Sequence, residues 1–487
     1  MNLSGLSGGQ YKPLSPQQVE KLHGAALSIL EKTGMKFEHG LEEVAELLGS
    51  NGAKLDTENR IIRFSPDMIA EAVSKAPEKV VLYGSKEEND LCLTKDKVYM
   101  GTGGAAVKII DMDTDEVRPT TLKDLEMVSR LVDKLENIHF LVRPCIPTDI
   151  DKADYDINMY YACLSATSKH VMSGVNDEKG LADVINMASI IAGGKEKLKA
   201  KPFISMITCF AISPLKLCTQ STHIMREAVK ERIPVVLSCA PMAGSTSPLT
   251  MAGTLAQLHA EQLAGIAICQ FTNPGAPILY GGIPGMANLK TMGYLGGAVE
   301  CGMMNAAVHQ LSDYVKIPNY NSSGLTDSKI PDGQAGYEKA FTTLLAAMGG
   351  SNYVHHAAGM LESMLTIAYE QFVIDDEIIG NACKVLKGIN CDEEHMALDV
   401  IEEVGAGGNF MMSAHTMEHL YDEYYMGNGV TDKKSRSGWK KDGGLDISKR
   451  ARKIARSILD KPSRSYIPED IDTEIRKKFN ILLDRKI

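Results

Sequence analysis

From about residue 97 the chain repeats one pattern: a short apolar, β-branched or aromatic run, a small polar or glycine-containing loop, then an amphipathic helical stretch. The runs begin near Val98, Ile138, His170, Phe203, Pro234, Pro277, Val315 and Tyr353, at separations of 40, 32, 33, 31, 43, 38 and 38 residues. Helical patterns lie between them, as at 122–135, 179–191, 215–231 and 250–270. Such alternation builds a parallel sheet covered by helices. An open doubly wound sheet would alternate in the same way, so the count of eight is what favours closure into a (β/α)8 TIM barrel. The typical barrel length of ~250 residues is close to the span from Val98 to about Asn390. The expected fold is α/β: an N-terminal α/β region over 1–95, the barrel over 96–390, and a C-terminal helical region over 391–487.

The clearest single unit is VKIPNYNSSGLTDSKIPDGQAGYEKA (315–340), in which an apolar run breaks into a polar loop and then enters an Ala-rich amphipathic helix. Loops at the carboxyl ends of barrel strands are where such proteins keep their chemistry. Asn319, Tyr320, Asn321, Ser322, Asp327 and Lys329 are the groups there that could face a ligand. Ahead of the repeats, Ser15-Pro16 opens a helix to about Lys32, a second helix ends at Gly49, and Ser65-Pro66 opens a third. Short β-rich runs at 60–64 and 79–83 separate them. This region carries no evident chemistry and reads as scaffold or oligomer contact.

The net charge of −10 speaks against nucleic acid as the main partner, because phosphate binding needs a basic footprint. It fits an anionic membrane surface equally poorly. No apolar run approaches the roughly 18 residues of a spanning helix, and the N-terminus lacks the basic and apolar regions of a signal peptide. The ten cysteines occur singly, without CxxC, which suggests reduced thiols and a cytoplasmic protein.

Strand ends are rich in glycine and small residues: GTGGAA (101–106), SGVND (173–177), APMAGSTSP (240–248), GGIPGM (281–286) and NSSG (321–324). GTGG has neither the lysine of a P-loop nor the spacing of a dinucleotide fold. His415-Thr-Met-Glu418-His419 matches an HxxEH zinc pattern, although it lies beyond the barrel and packing histidines explain it as well. Alternation along a strand lets at most one of His355 and His356 face the interior. Arg143 needs an anion, from the protein or from a ligand. Tyr99, Tyr280, Tyr320 and Tyr353 could wall a cavity whose ring faces attract a cation, though each alone is as well explained by the core. The basic stretch 433–456, with the single tryptophan Trp439, is either a solvated helix face or a docking surface for an acidic partner. No nucleophile elbow and no cysteine signature is present.

Several segments together resemble one family. GTGGA (101–105), TDSKIPDGQAGYEKA (326–340), GMLESMLTIAYEQFVIDDEIIG (359–380), HTMEHLYDEYY (415–425) and SKRARKIARSIL (448–459) are similar, in order, to the trimethylamine methyltransferase (MttB) superfamily. The resemblance implies a (β/α)8 barrel that moves a methyl group from a methylated amine to the cobalt of a separate corrinoid protein. The founding trimethylamine enzymes carry pyrrolysine, whereas this sequence contains only the standard twenty residues. Members lacking pyrrolysine act on quaternary amines such as glycine betaine, proline betaine or carnitine, and this chain is expected among them.

The expected site therefore binds a small quaternary amine through Tyr99, Arg143, Tyr280, Tyr320, Asn321, Tyr353, His355 and His356. Gly103, Gly104, Gly282 and Gly285 would give room to a flat corrinoid. No catalytic residue beyond positioning, no metal and no tightly bound cofactor is expected, since no DxHxxG corrinoid-binding signature occurs. The corrinoid would come on a cognate partner, and the family suggests a homo-oligomer. Two other readings stay open: a lyase or aldolase using a Schiff-base lysine such as Lys329, and a non-catalytic betaine-binding or scaffold barrel.

Overall fold

The computed structural model describes residues 5–484. Each of the eight runs holds one strand: β1 (Lys97–Thr102), β2 (Leu141–Val142), β3 (Val171–Ser173), β4 (Ile204–Thr208), β5 (Val235–Cys239), β6 (Ile278–Gly282), β7 (Asn319–Ser322) and β8 (Tyr353–Ala358). Each is followed by a helix: α1 (Leu122–Asp133), α2 (Tyr155–Ala166), α3 (Glu178–Ala192), α4 (Thr219–Lys230), α5 (Met251–Thr272), α6 (Val299–Tyr314), α7 (Gly333–Gly349) and α8 (Tyr369–Lys387). The strands pair in parallel in the order β1-β8-β7-β6-β5-β4-β3-β2, so the fold is mixed α/β.

The two terminal strands of that order, β1 and β2, also meet. His139 N–H donates to the Met100 carbonyl at 2.8 Å, and Thr102 N–H to the Phe140 carbonyl at 3.4 Å. Further up, the Thr102 hydroxyl donates to the Val142 carbonyl (2.6 Å) and accepts from Val142 N–H (2.9 Å). A side chain thus takes the place of a backbone rung. Above it, Ala106 and Cys145 form an isolated parallel bridge.

Residues alternate between two packing environments. Tyr99, Val142, Met172, Ile207, Val236, Leu279, Tyr320 and Tyr353, one from each strand, form an apolar cluster of their own. A hairpin of Val80–Leu82 and Leu91–Leu93 joins that cluster at the amino ends of the strands. The opposite faces pack against the helices in the main core, which continues into the N-terminal and C-terminal segments.

The N-terminal elements form as their local chemistry dictates. Helix Pro16–Lys32 starts on a reciprocal Ser15/Gln18 capping box, and helix Pro66–Lys75 on the Ser65 side chain. Both pack on α5. Strands Met35–Phe37, Lys54–Asp56 and Ile61–Arg63 belong to the same five-stranded sheet as Ala211–Ile212 and Lys216–Leu217, which lie in the loop after β4. Beyond α8 the chain is helical, with its longest segment, α9 (Ile447–Leu459), packed on α8. No helix of the described residues is long and apolar enough to cross a membrane.

Candidate functional site

A cavity of about 480 Å³ sits at the carboxyl ends of the strands, and all eight contribute to its wall. Gly104 and Ala105 follow β1, Arg143 follows β2, Ser173 ends β3, and Thr208 ends β4 with Cys209 beyond it. Ser238, Ile283, Tyr320 and the pair His355–His356 complete the ring from β5 to β8. Ala105, Cys209 and Leu365 are exposed, so the cavity opens to the surface.

Both adjacent histidines face this cavity, which corrects the expectation that only one could. The register between β8 and β1 runs Tyr353↔Tyr99 and Val354↔Met100, then shifts to Ala358↔Thr102. The extra residues form a bulge in which His356 takes a left-handed φ of 70°. Alternation fails there, and the two imidazoles stack with centroids 3.5 Å apart.

His355 Nε2 accepts the Gly104 N–H at 3.0 Å, and its Nδ1 meets the Tyr320 hydroxyl. A ring nitrogen that accepts a backbone N–H carries no proton, so the bond pattern assigns the hydrogen to Nδ1, where it points at the Tyr320 oxygen. The Tyr320 O–H is then left to donate elsewhere. His356 Nδ1 bonds the Ser322 hydroxyl at 2.7 Å, and its Nε2 has no partner among the described residues. Burial pushes both imidazoles down, His356 to about 3 with Lys339 adding to the effect, and His355 further lowered by His356. Both are neutral at neutral pH.

The glycines of GTGGA make this seat. A Cβ on Gly103 would collide with the His355 ring, and one on Gly104, whose φ is +119°, with the Met360 side chain. Replacing Gly103 by alanine is expected to displace His355 and break its bond to Tyr320, with a loss of roughly 100-fold in turnover. Full activity in that variant would show that the His355 position does not matter.

Other expected residues lie elsewhere. Register pairs Tyr280 with Asn319 and Tyr320 with Tyr353 and Tyr99, so Tyr280 is on the helix-facing side. Its hydroxyl bonds His259 of α5 at 2.8 Å. Asn321, also on that side, donates to the Asn305 carbonyl of α6 and to Ser351. Tyr99 does point inward, but at the amino end of β1, where its hydroxyl accepts from Gly5 N–H and Cys92 N–H. Tyr353 stacks on Phe140 at 3.5 Å and does not border the cavity; its hydroxyl is buried without a hydrogen-bond partner among the described residues. Of the four tyrosines, only Tyr320 reaches the wall. Gly282 faces Leu258 and Val308, Gly285 is covered by the Tyr294 ring, and Gly103 by His355, so only Gly104 of the four glycines borders the cavity.

Among the described residues, Arg143 is the one charged side chain in the wall. It has no ion-pair partner among the described residues, and its Nε is buried without a hydrogen bond. No aspartate, glutamate or lysine of the described residues lines the cavity. Lys329, the Schiff-base candidate, is exposed and bonded to the Asp327 carbonyl of its own loop. His415 and His419 lie with ring centroids 4.3 Å apart and planes tilted by 47°, but among the described residues no three His, Cys, Asp or Glu side chains are arranged to hold a metal ion.

Sequence reasoning missed the framework under the wall. Lys339 of α7 and Asp375 of α8 form a fully buried ion pair at 3.1 Å. Lys339 also donates to the carbonyls of Gly324 and Met360, and Asp375 accepts Gly359 N–H at 2.7 Å. Burial raises Asp375 and lowers Lys339, each opposed by the other's charge. The loops after β7 and β8 are thereby tied together.

The second loop then makes a turn in which Glu362, Ser363 and Met364 have φ of 51°, 50° and 81°. Such left-handed geometry costs non-glycine residues energy, which the surroundings must offset. Glu362 N–H donates to the Ser328 carbonyl (2.7 Å), Ser363 N–H to the Thr326 carbonyl (2.9 Å), and the Ser363 hydroxyl to Asp327. Ser363 and Met364 border the cavity. A charged Lys339 one helical turn from Ala335 and Thr343, on an otherwise small-residue face, was the visible signal of this clamp.

Neutral buried histidines have a consequence for stability. His139 and His170 are lowered to about 4, His259 and His356 to about 3, in each case mainly by burial. The unfolded chain takes up protons on these groups near pH 6.5 while the folded chain does not. Their contribution is whole above pH 6.5 and is lost as pH falls from there towards 4, by up to ~1.4 kcal/mol per pH unit for each group. Urea midpoints should be flat from pH 7 to 8 and fall steadily below 6.5. A stability maximum near pH 5 would contradict this.

The trimethylamine methyltransferase (MTTB) family profile matches residues 6–481. The chain is 34% identical over 472 residues to a trimethylamine methyltransferase MttB of Desulfitobacterium hafniense DCB-2, covering 97% of this chain and 93% of that protein. It is 31% identical over 479 residues to a glycine betaine methyltransferase of D. hafniense Y51, covering 98% and 97%. A crystal structure of the Methanosarcina barkeri monomethylamine methyltransferase overlays on 94% of this chain and 96% of its own, at 13% identity and a TM-score of 0.48. On the profile match and the relatives at 34% and 31% identity, the chain belongs to the trimethylamine methyltransferase family.

Proposed function

We propose that this protein is a methyltransferase taking a methyl group from a quaternary amine that carries a carboxylate, a betaine-like zwitterion, and passing it to the cobalt of a corrinoid on a separate partner protein. The observation that carries the reading is the unpaired Arg143 as the only charge in a cavity otherwise walled by neutral groups. The sheet is read here as a closed (β/α)8 barrel. One inward side chain from every strand, a cavity walled by all eight strand ends, and the bonds between β1 and β2 support that reading.

The corrinoid, brought as a cosubstrate, supplies a cobalt(I) nucleophile for in-line attack on the methyl carbon. The C–N bond breaks with its electron pair going to nitrogen, so a quaternary ammonium leaves as a neutral tertiary amine and needs no general acid. The residues of this chain position and desolvate. Arg143 holds the carboxylate end through charge-assisted hydrogen bonds. The ring faces of Tyr320 and the two neutral imidazoles offer a cation an electron-rich wall without a counter-charge.

That absence suits the reaction. The nitrogen loses its charge as the methyl departs, so a carboxylate beside it would stabilise the ground state more than the transition state. The cavity lies within the common range of ~300–1,000 Å³ for small-molecule sites. Its wall has no lysine for a Schiff base, which weighs against the lyase reading.

The test is a spectrophotometric screen in which cobalt(I) cobalamin is mixed with the protein and glycine betaine, proline betaine, carnitine or choline. Conversion to methylcobalt(III) with a carboxylate-bearing substrate is the expected result. Binding of a betaine without any methyl transfer would favour the non-catalytic alternative.

A further inference from the structure

A second cavity, of about 510 Å³, lies between the last turn of α1, the end of α9 and the loop 460–466. Helix α1 runs back from the carboxyl end of β1, and Asp133 at its last position bonds Thr167 and Ser168, just ahead of β3. This cavity is therefore at the opposite end of the strands from the one that holds Arg143, and the two share no lining residue.

Arg130, Lys134, Lys461 and Arg464 line it, and no aspartate or glutamate of the described residues does. Arg130 Nη2 donates to the carbonyls of Leu459 (3.2 Å) and Lys461 (2.9 Å), which holds the guanidinium in place. Its Nε is buried without a hydrogen bond among the described residues. The side chains of Lys461 and Arg464 are exposed and have no hydrogen bond or ion pair there. Lys134 alone meets a carboxylate, that of Asp133 at 2.9 Å. Asp133 is itself buried and also accepts from the hydroxyls of Tyr466, Thr167 and Ser168 and from Ser168 N–H. Asp460 and Glu136 are close in sequence but stay out of the wall. Lys86, with Glu88 at 3.6 Å, sits over the Tyr466 ring.

Such a concentration of positive charge is not general basicity, because the whole chain carries a net charge of −10. Like charges held together repel, and an anion with several negative charges relieves the repulsion. Guanidinium forks and ammonium groups both suit phosphate oxygens. The Ser463 hydroxyl, also in the wall, has no bond of its own among the described residues. The space is larger than a phosphate group needs and falls in the range of ~300–1,000 Å³ typical of small-molecule sites. Tyr466 supplies a flat apolar face, fixed by its N–H on the Ser165 carbonyl (2.9 Å) and its O–H on Asp133 (2.7 Å).

We propose that this second cavity binds a nucleoside diphosphate, with its phosphates on Arg130, Lys461 and Arg464 and its ring system against Tyr466. Charge provides the attraction, and the aromatic wall selects an organic diphosphate over the inorganic ion.

Isothermal titration of the full chain with ADP tests this and needs neither a methyl donor nor a corrinoid. Saturable binding is expected, weakening as salt is raised, with inorganic pyrophosphate weaker and adenosine weaker still. Lys461→Ala/Arg464→Ala removes two exposed side chains without internal partners. It should keep the circular dichroism spectrum and lose roughly tenfold or more in ADP affinity. Arg143→Ala should bind ADP as the wild type does, which separates this cavity from the one at the carboxyl ends of the strands. No binding of ADP, pyrophosphate or adenosine binding as tightly as ADP, an unchanged affinity in the double variant, or a loss in Arg143→Ala would each overturn the proposal.

Discussion

Arg143→Ala is expected to raise KM for a carboxylate-bearing quaternary amine by roughly 30- to 150-fold, the equivalent of about 2–3 kcal/mol for a lost charge-assisted contact in a partly enclosed site. KM for choline, which has no carboxylate, should change little. The contrast matters more than the size. Arg143 has no hydrogen bond or ion pair within the described residues, so its removal breaks none, although its charge does favour the ionised form of the buried Asp156. A general loss across both substrates would mean that Arg143 supports the cavity wall rather than the ligand. Arg143→Lys should recover part of the zwitterion's affinity, since a lysine keeps the charge and loses the bidentate fork.

The second large effect is on stability. Lys339→Met is expected to cost about 3–5 kcal/mol, because it strands the Asp375 carboxylate in a fully buried site. It also removes the donor shared by the Gly324 and Met360 carbonyls. Asp375→Asn should cost less, since the amide oxygen can still accept from Gly359 N–H and a neutral lysine amine can still donate to both carbonyls. Denaturant unfolding of the two variants would give the order directly. If Asp375→Asn proved the more damaging, the pair's charge rather than its hydrogen bonds would be holding the loops.

Much of the fold was legible because strand and helix periods differ, and each of eight separate apolar runs does contain one parallel strand. Side-chain direction was far less legible. Tyr280 and Tyr320 both sit on short buried strands, yet they face opposite ways, since Tyr280 is in register with Asn319, one residue before Tyr320. That offset is a relation between two strands, and no single strand carries it. His355 and His356 defeated the alternation rule for another reason: a bulge suspends the rule where it occurs.

The glycines misled in a similar way. GTGGA looked like room for a flat ligand, but Gly103 makes room for the protein's own histidine. Lys339 and Asp375 could be seen only as charged letters on two helices, 36 residues apart in the sequence. Their meeting is a product of how α7 and α8 dock.

The loop after β4 shares a sheet with strands from the first 63 residues. Thr208, the last residue of β4, and Cys209, the first of that loop, stand in the cavity wall. Anyone hoping to graft the sheet and its pocket onto another scaffold, or to trim the leading segment for expression, would be cutting through a shared seam. The leading segment braces one side of the cavity through that sheet, and its loss should be felt there first.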